Sequence, residues 1–186
     1  VLGGAVVPVQ AADITYVSEE TIKIKDVEDL LELAENCKLD SWSRGKTVVL
    51  QADIFLEEEF LPIPTFGGIF DGMGHSISGL YLSLNAGNAG SLFGQVIGSA
   101  EVKNLAVLDS CFANGGADLT ASKPLAAIFT NVPKGTTATI SNCYIDVDLY
   151  EKSTSKSANI HAKFGGLVGY CAGTLTIENT VYAGSM

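Results

Sequence analysis

Gly67-Gly-Ile-Phe-Asp-Gly-Met-Gly-His-Ser-Ile-Ser-Gly-Leu80, then Gly90-Ser-Leu-Phe-Gly94 and Ala100-Glu-Val-Lys-Asn-Leu-Ala-Val107, decides the fold. Its second part recurs. Ile77-Ser-Gly-Leu-Tyr-Leu82, Val102-Lys-Asn-Leu-Ala-Val107, Ile140-Ser-Asn-Cys-Tyr-Ile145 and Ile177-Glu-Asn-Thr-Val-Tyr182 align without gaps. Their third residues are Gly79, Asn104, Asn142 and Asn179. Apolar or small residues stand two before, one after and three after that position. A straight strand keeps one parity of inward side chains. Here the parity switches, so the chain is expected to bend at the third residue. Glycine and asparagine tolerate the left-handed backbone such a bend needs, and the asparagines are placed to bond to one another as an amide ladder.

Upstream of each segment lies a shorter apolar piece: Ile69-Phe70, Leu92-Phe-Gly94, Ile128-Phe129 and Leu167-Val-Gly169. The bend positions are 25, 38 and 37 residues apart. A period of this size with short bent strands marks a solenoid, in which each coil buries its apolar side only against its neighbours. The expected fold is all-β, a right-handed parallel β-helix with an N-terminal strand-helix cap. Residues 13–45 form the cap and 46–186 the coils. The chain stops at Met186 inside a repeat, where an uncapped coil leaves an open sheet edge, so a longer native protein is expected.

Within the cap, Thr21-Ile-Lys-Ile-Lys25 alternates as a strand. A helix over 26–38 comes next, with Asp26 as its N-cap toward the Asp29 amide. Val27, Leu30, Leu31, Ala34 and Cys37 give its apolar face and Glu28, Glu32 and Glu35 its wet one. The apolar stretch 1–12 carries Val9 and Ala11 at signal-peptidase spacing and reads as the tail of a secretory signal, or else as an ordinary strand. Nothing later is long and apolar enough to span a bilayer.

Residues 68–80, Gly90-Ser-Leu-Phe-Gly94 and Glu101-Val-Lys-Asn-Leu105 resemble the GLUG-type repeats of bacterial secreted and surface proteins. Gly165-Gly-Leu-Val-Gly169 with Thr176-Ile-Glu-Asn179 is similar to a further copy. The resemblance implies a β-helical, adhesin-like protein, secreted or at the cell surface. It transfers no catalytic residues.

Composition narrows the chemistry. The net charge is −10, and residues 13–60 hold 13 acidic against 5 basic side chains. Arg44 is the only arginine, so the basic footprint that neutralises phosphates is missing and nucleic acid is not an expected partner. Cys37, Cys111, Cys143 and Cys171 lack metal-ligand spacing. They read as buried small hydrophobes, with one disulfide as the alternative. Glu57-Glu-Glu59 alternates faces on an extended chain and so cannot converge on a cation. No cofactor or metal is expected.

His75 sits among glycines and reads as a turn residue rather than a base. Asp146 and Asp148 share parity, as a glycosidase pair requires, but no neighbouring coil supports them. The candidate binding residues are the outward Tyr81 and Tyr144, and the basic set Lys152, Lys156, His161 and Lys163. That set lies in the second of two long insertions, 109–126 and 150–166, which are expected to be neighbours in space. These point to a non-catalytic extracellular module that presents a surface to a host or matrix glycan or protein, or acts as a rigid spacer. The alternative is a carbohydrate-active enzyme, a polysaccharide lyase or glycosidase.

Overall fold

The computed structural model describes residues 20–84, 90–114, 124–151 and 163–186. Among them are one helix, α1, and strands numbered β1 to β18 along the chain. β1 (Thr21–Ile24) pairs in parallel with β2 (Thr47–Leu50), and α1 (Val27–Asn36) lies between them in sequence. Asp26 is the N-cap, in extended geometry, and its carboxylate accepts from the Asp29 amide at 3.0 Å. The Asp29 carboxylate in turn accepts from the Lys25 amide at 3.0 Å. Two donors that the helix start would strand are thereby satisfied.

The buried face of α1 is turned from the one the sequence pattern suggests. Leu30, Leu33, Ala34 and Cys37 are buried, whereas Leu31 is 43% exposed. Apolar residues occupy a wide arc of this helix, and periodicity alone does not choose which edge of the arc packs inward. The helix lies against β1 and against β4 (Ile63–Phe66), where the Thr65 hydroxyl donates to the Cys37 carbonyl at 2.7 Å. Pro64 falls within β4, which is an edge strand, where a missing N–H is tolerated.

The fold is all-β apart from α1, and every strand pair is parallel. One sheet runs β1, β2, β5 (Ile69–Asp71), β9 (Ser99–Lys103), β13 (Thr137–Ser141), β17 (Thr174–Glu178). A second runs β3 (Ile54–Phe55), β6 (Ser76–Ser78), β10 (Ala106–Asn114), β14 (Tyr144–Glu151), β18 (Val181–Tyr182), with β7 (Tyr81–Leu84) also beside β10. A third runs β4, β8 (Phe93–Val96), β12 (Phe129–Val132), β16 (Val168–Cys171). From β4 onward the chain visits the third, first and second sheets in that order, and repeats the order to β18. A small fourth sheet joins β11 (Pro124–Ala126) to β15 (Lys163–Gly165).

The corner reading holds for the asparagines. Asn104, Asn142 and Asn179 have φ of 52°, 53° and 45°, the left-handed region. Ile140 pairs with both Val102 and Ile177, in the register the sequence alignment gives. The first segment is a correction. Ile77 pairs with Val107, not Val102, and Phe70 takes the place beside Val102. Gly79 is left-handed too, at φ 71°, but it belongs beside Asp109, φ 46°, at the next corner along. Phe93 likewise pairs in the sheet with Ile63, while Phe70 belongs to a different sheet. Val102 and Val107 are each followed two residues later by a left-handed residue, Asn104 and Asp109, and an ungapped alignment slides from one corner to the other.

Side chains from all three sheets meet in one core. At its centre Phe93 lies 4.7 Å from Phe66, 5.4 Å from Phe70 and 5.6 Å from Phe129, ring centre to ring centre. All four cysteines are free thiols. Cys37 and Cys143 are buried as expected, Cys111 is half-buried, and Cys171 is exposed, because the last round is less covered than those before it.

Candidate ligand-binding face

The bend at Asn142 decides which way the next side chains point. Cys143 and Ile145 are buried, so Tyr144 between them points outward and is 47% exposed. The alternation continues along β14, placing Asp146, Asp148 and Tyr150 outward and Val147 and Leu149 in the core. Tyr150 was not among the expected site residues, although the alternation Tyr-Ile-Asp-Val-Asp-Leu-Tyr (144–150) carries the signal for it.

Tyr81 and Tyr144 share the outer face of the second sheet but not a row. Tyr144 stands between Ala106 and Val181. Tyr81 stands beside Cys111, whose other neighbour is Asp148. The register slip of the first segment accounts for this correction to the expected stripe of Tyr81, Ala106, Tyr144 and Val181.

Beside Tyr144 runs a shallow groove of about 440 Å³, lined by Asn104, Asn142, Asn179, Ala106 and Val181. The small Ala106 leaves the depth. The Asn142 amide donates to Oδ1 of Asn104 at 3.3 Å, and the Asn104 amide donates to Oδ1 of Asp71 at 2.9 Å. The expected ladder is present between Asn142 and Asn104, where a carboxylate extends it, but among the described residues no side-chain bond joins Asn179 to Asn142. Each link uses one N–H of an amide that has two, so the ladder keeps donors for a ligand hydroxyl.

Asp148 has structural work of its own. Its Oδ1 accepts from the Ser185 amide at 2.8 Å and from the Ser185 hydroxyl at 2.6 Å. These bonds hold its carboxyl below the usual carboxylate range, the Ser185 hydroxyl contributing most. That favours the ionised form, the reverse of what a general acid requires. Asp146 makes no hydrogen bond or ion pair among the described residues.

His75 is placed in the turn before β6, where its amide donates to the Gly72 carbonyl at 2.8 Å. Its Nδ1 lies 3.3 Å from Oδ1 of Asp53, which also accepts from the Ser76 amide at 2.8 Å. The Ser76 amide is the main reason the Asp53 carboxyl is held low, with His75 adding to it. Lys152, Lys156 and His161 lie outside the described residues; Lys163 opens β15. The described ends of the two insertions do come together. Asn114 pairs with Glu151 where the chain enters them, and Pro124 pairs with Lys163 where it returns. Among the described residues, no group of three or more histidine, cysteine or acidic side chains could hold a metal ion, and no helix is long and apolar enough to cross a membrane.

No family model matches the chain, and neither a curated protein nor a solved structure matches it.

Proposed function

We propose that this chain is a right-handed parallel β-helix built of GLUG-type repeats and closed at its N-terminal end by the β1–α1 cap. In this reading it serves as a non-catalytic, extracellular module of a bacterial secreted or surface protein. The observation that carries the reading is the parallel register of three sheets visited in one fixed order, with left-handed asparagines at a shared corner. Right-handed winding follows from the strong preference of parallel crossovers for that hand. A scaffold of this kind is rigid, and it holds out flat sheet faces and loops for binding. The face at Tyr144 suits a glycan, because an aromatic ring stacks on a sugar while neighbouring amides bond its hydroxyls. The basic set Lys152, Lys156, His161 and Lys163 suits an anionic glycan or an acidic protein surface.

Incubation with a panel of neutral and anionic polysaccharides tests the proposal. Binding without new reducing ends or unsaturated products is expected. Release of either product would replace it with the reading of a carbohydrate-active enzyme. Tyr144→Ala is expected to weaken neutral glycans about tenfold, as losing one stacked aromatic does. Alanine at Lys152, Lys156 and Lys163 together is expected to act on anionic ligands alone. If no polysaccharide binds, the module is a spacer; binding that neither set of changes alters would place the site on another face.

A further inference from the structure

Helix α1 carries more apolar surface than its packing uses. Leu30, Leu33, Ala34 and Cys37 supply the buried face, so Leu31 is surplus to the core. Leu31 and Val27 line one side of a groove of about 310 Å³, and Phe55 and Leu56 line the other. Phe55 is 61% exposed. The run Glu57-Glu-Glu59 borders the same groove. Among the described residues, the ion pairs of the cap use Glu20, Asp26, Asp29 and Glu35; none involves Glu28, Glu32, Glu57 or Glu58. The groove thus joins exposed large apolar side chains, which mark interaction surfaces when they cluster, to carboxylates that no cation of the cap neutralises. It lies in the part of the chain that holds most of the negative charge.

We propose that this groove docks a short basic segment of a partner polypeptide. Aliphatic or aromatic anchors enter between Leu31 and Phe55, and lysine or arginine side chains reach Glu57 and Glu58. The apolar floor supplies the contact, and the acidic rim selects the sign of charge and speeds encounter. The proposal is independent of the glycan reading, because it uses the opposite end of the molecule from the last round and none of the Tyr144 face.

The test titrates a fluorescein-labelled amphipathic peptide, leucine on one face and lysine on the other, into the full chain and reads anisotropy. A second peptide carries glutamate in place of every lysine. Saturable binding of the lysine peptide in the micromolar range is expected, with none of the glutamate peptide. Leu31→Gln and the double variant Glu57→Gln, Glu58→Gln are each expected to weaken it about tenfold, the size of effect a buried anchor or a rim charge pair has. Affinity is also expected to fall as salt rises. All three positions are exposed, so the variants should keep the fold, which an unchanged unfolding midpoint verifies. Equal binding by wild type and both variants would overturn the proposal in favour of diffuse attraction to an acidic surface. No saturable binding overturns it outright. So does binding that appears only when residues 1–12 are removed, which makes the chain's own apolar segment the occupant. A dimer dissolved by Leu31→Gln does the same by making a second copy the occupant.

Discussion

At Asn142 the backbone is left-handed, the amide bonds to Asn104, and the two neighbours of Tyr144 turn inward. Two costs can be separated there. Asn142→Ala keeps neither the tolerance for positive φ, worth about 1–2 kcal/mol, nor the amide bond, worth about 0.5–1.5 kcal/mol. Asn142→Gly restores the first alone. The glycine variant is therefore expected to unfold at a denaturant midpoint between those of wild type and the alanine variant, and equal midpoints for the two variants would contradict the corner reading. Cys37 gives a second test. Burial pushes its thiol from 9.0 up to about 11. Below pH 9 the thiol is neutral whether folded or not, and its contribution to stability is complete. Between about 9 and 11 only the unfolded chain ionises, so stability falls as pH rises through that window. Cys37→Ala is expected to flatten this decline in urea melts. Tyr182, pushed from 10.0 up to about 12 by burial and by Asp148 and Asp146, adds a second decline that begins near 10 and overlaps the first. The asparagine corners were legible in the sequence because few residues accept that backbone. The partners of those corners were not, since Asp71 reaches Asn104 only through the true register of the preceding round.

At the scale of elements, α1 shows what periodicity can and cannot say. Its start was readable from Asp26, whose carboxylate has one obvious amide to satisfy. Asp26→Ala is expected to cost about 1 kcal/mol of stability, as losing an N-cap does. Its buried edge was not readable, because Leu30, Leu31, Leu33 and Ala34 all lie within one broad apolar arc. The structure separates them sharply. Leu33→Ala is expected to cost about 2–5 kcal/mol as a buried leucine, and Leu31→Ala less than about 1 kcal/mol as an exposed one. Calorimetry on the two variants checks the assignment, and the reverse order would rotate the helix back to its sequence-derived face. The same distinction governs function, since a leucine that the core does not need is free to line a groove. The slip of Ile77 by one corner has a similar origin. Val102 and Val107 are both followed two residues later by a left-handed residue, so Ile77 with Gly79 fits either, and only pairing across rounds tells the two apart.

Over the whole molecule, stability runs through contacts between successive rounds. Phe93 touches phenylalanines of the rounds on either side, so Phe93→Ala is expected to cost about 3–5 kcal/mol and to lower the midpoint of the entire chain cooperatively. Parallel strands and a repeating period were legible because each round must present the same inward apolar set. The two binding surfaces were less so. The Tyr144 groove is formed by residues from four rounds, and the groove beside α1 by two segments that are distant in sequence. Neither leaves a local motif. The proposed function rests on the proposed right-handed winding of three parallel sheets that the chain visits in one cyclic order. An experimentally phased electron-density map tests that most directly. The account expects right-handed rounds with Ile140 between Val102 and Ile177 and Asn104 beneath Asn142. Left-handed winding, or antiparallel pairing of those strands, would contradict it.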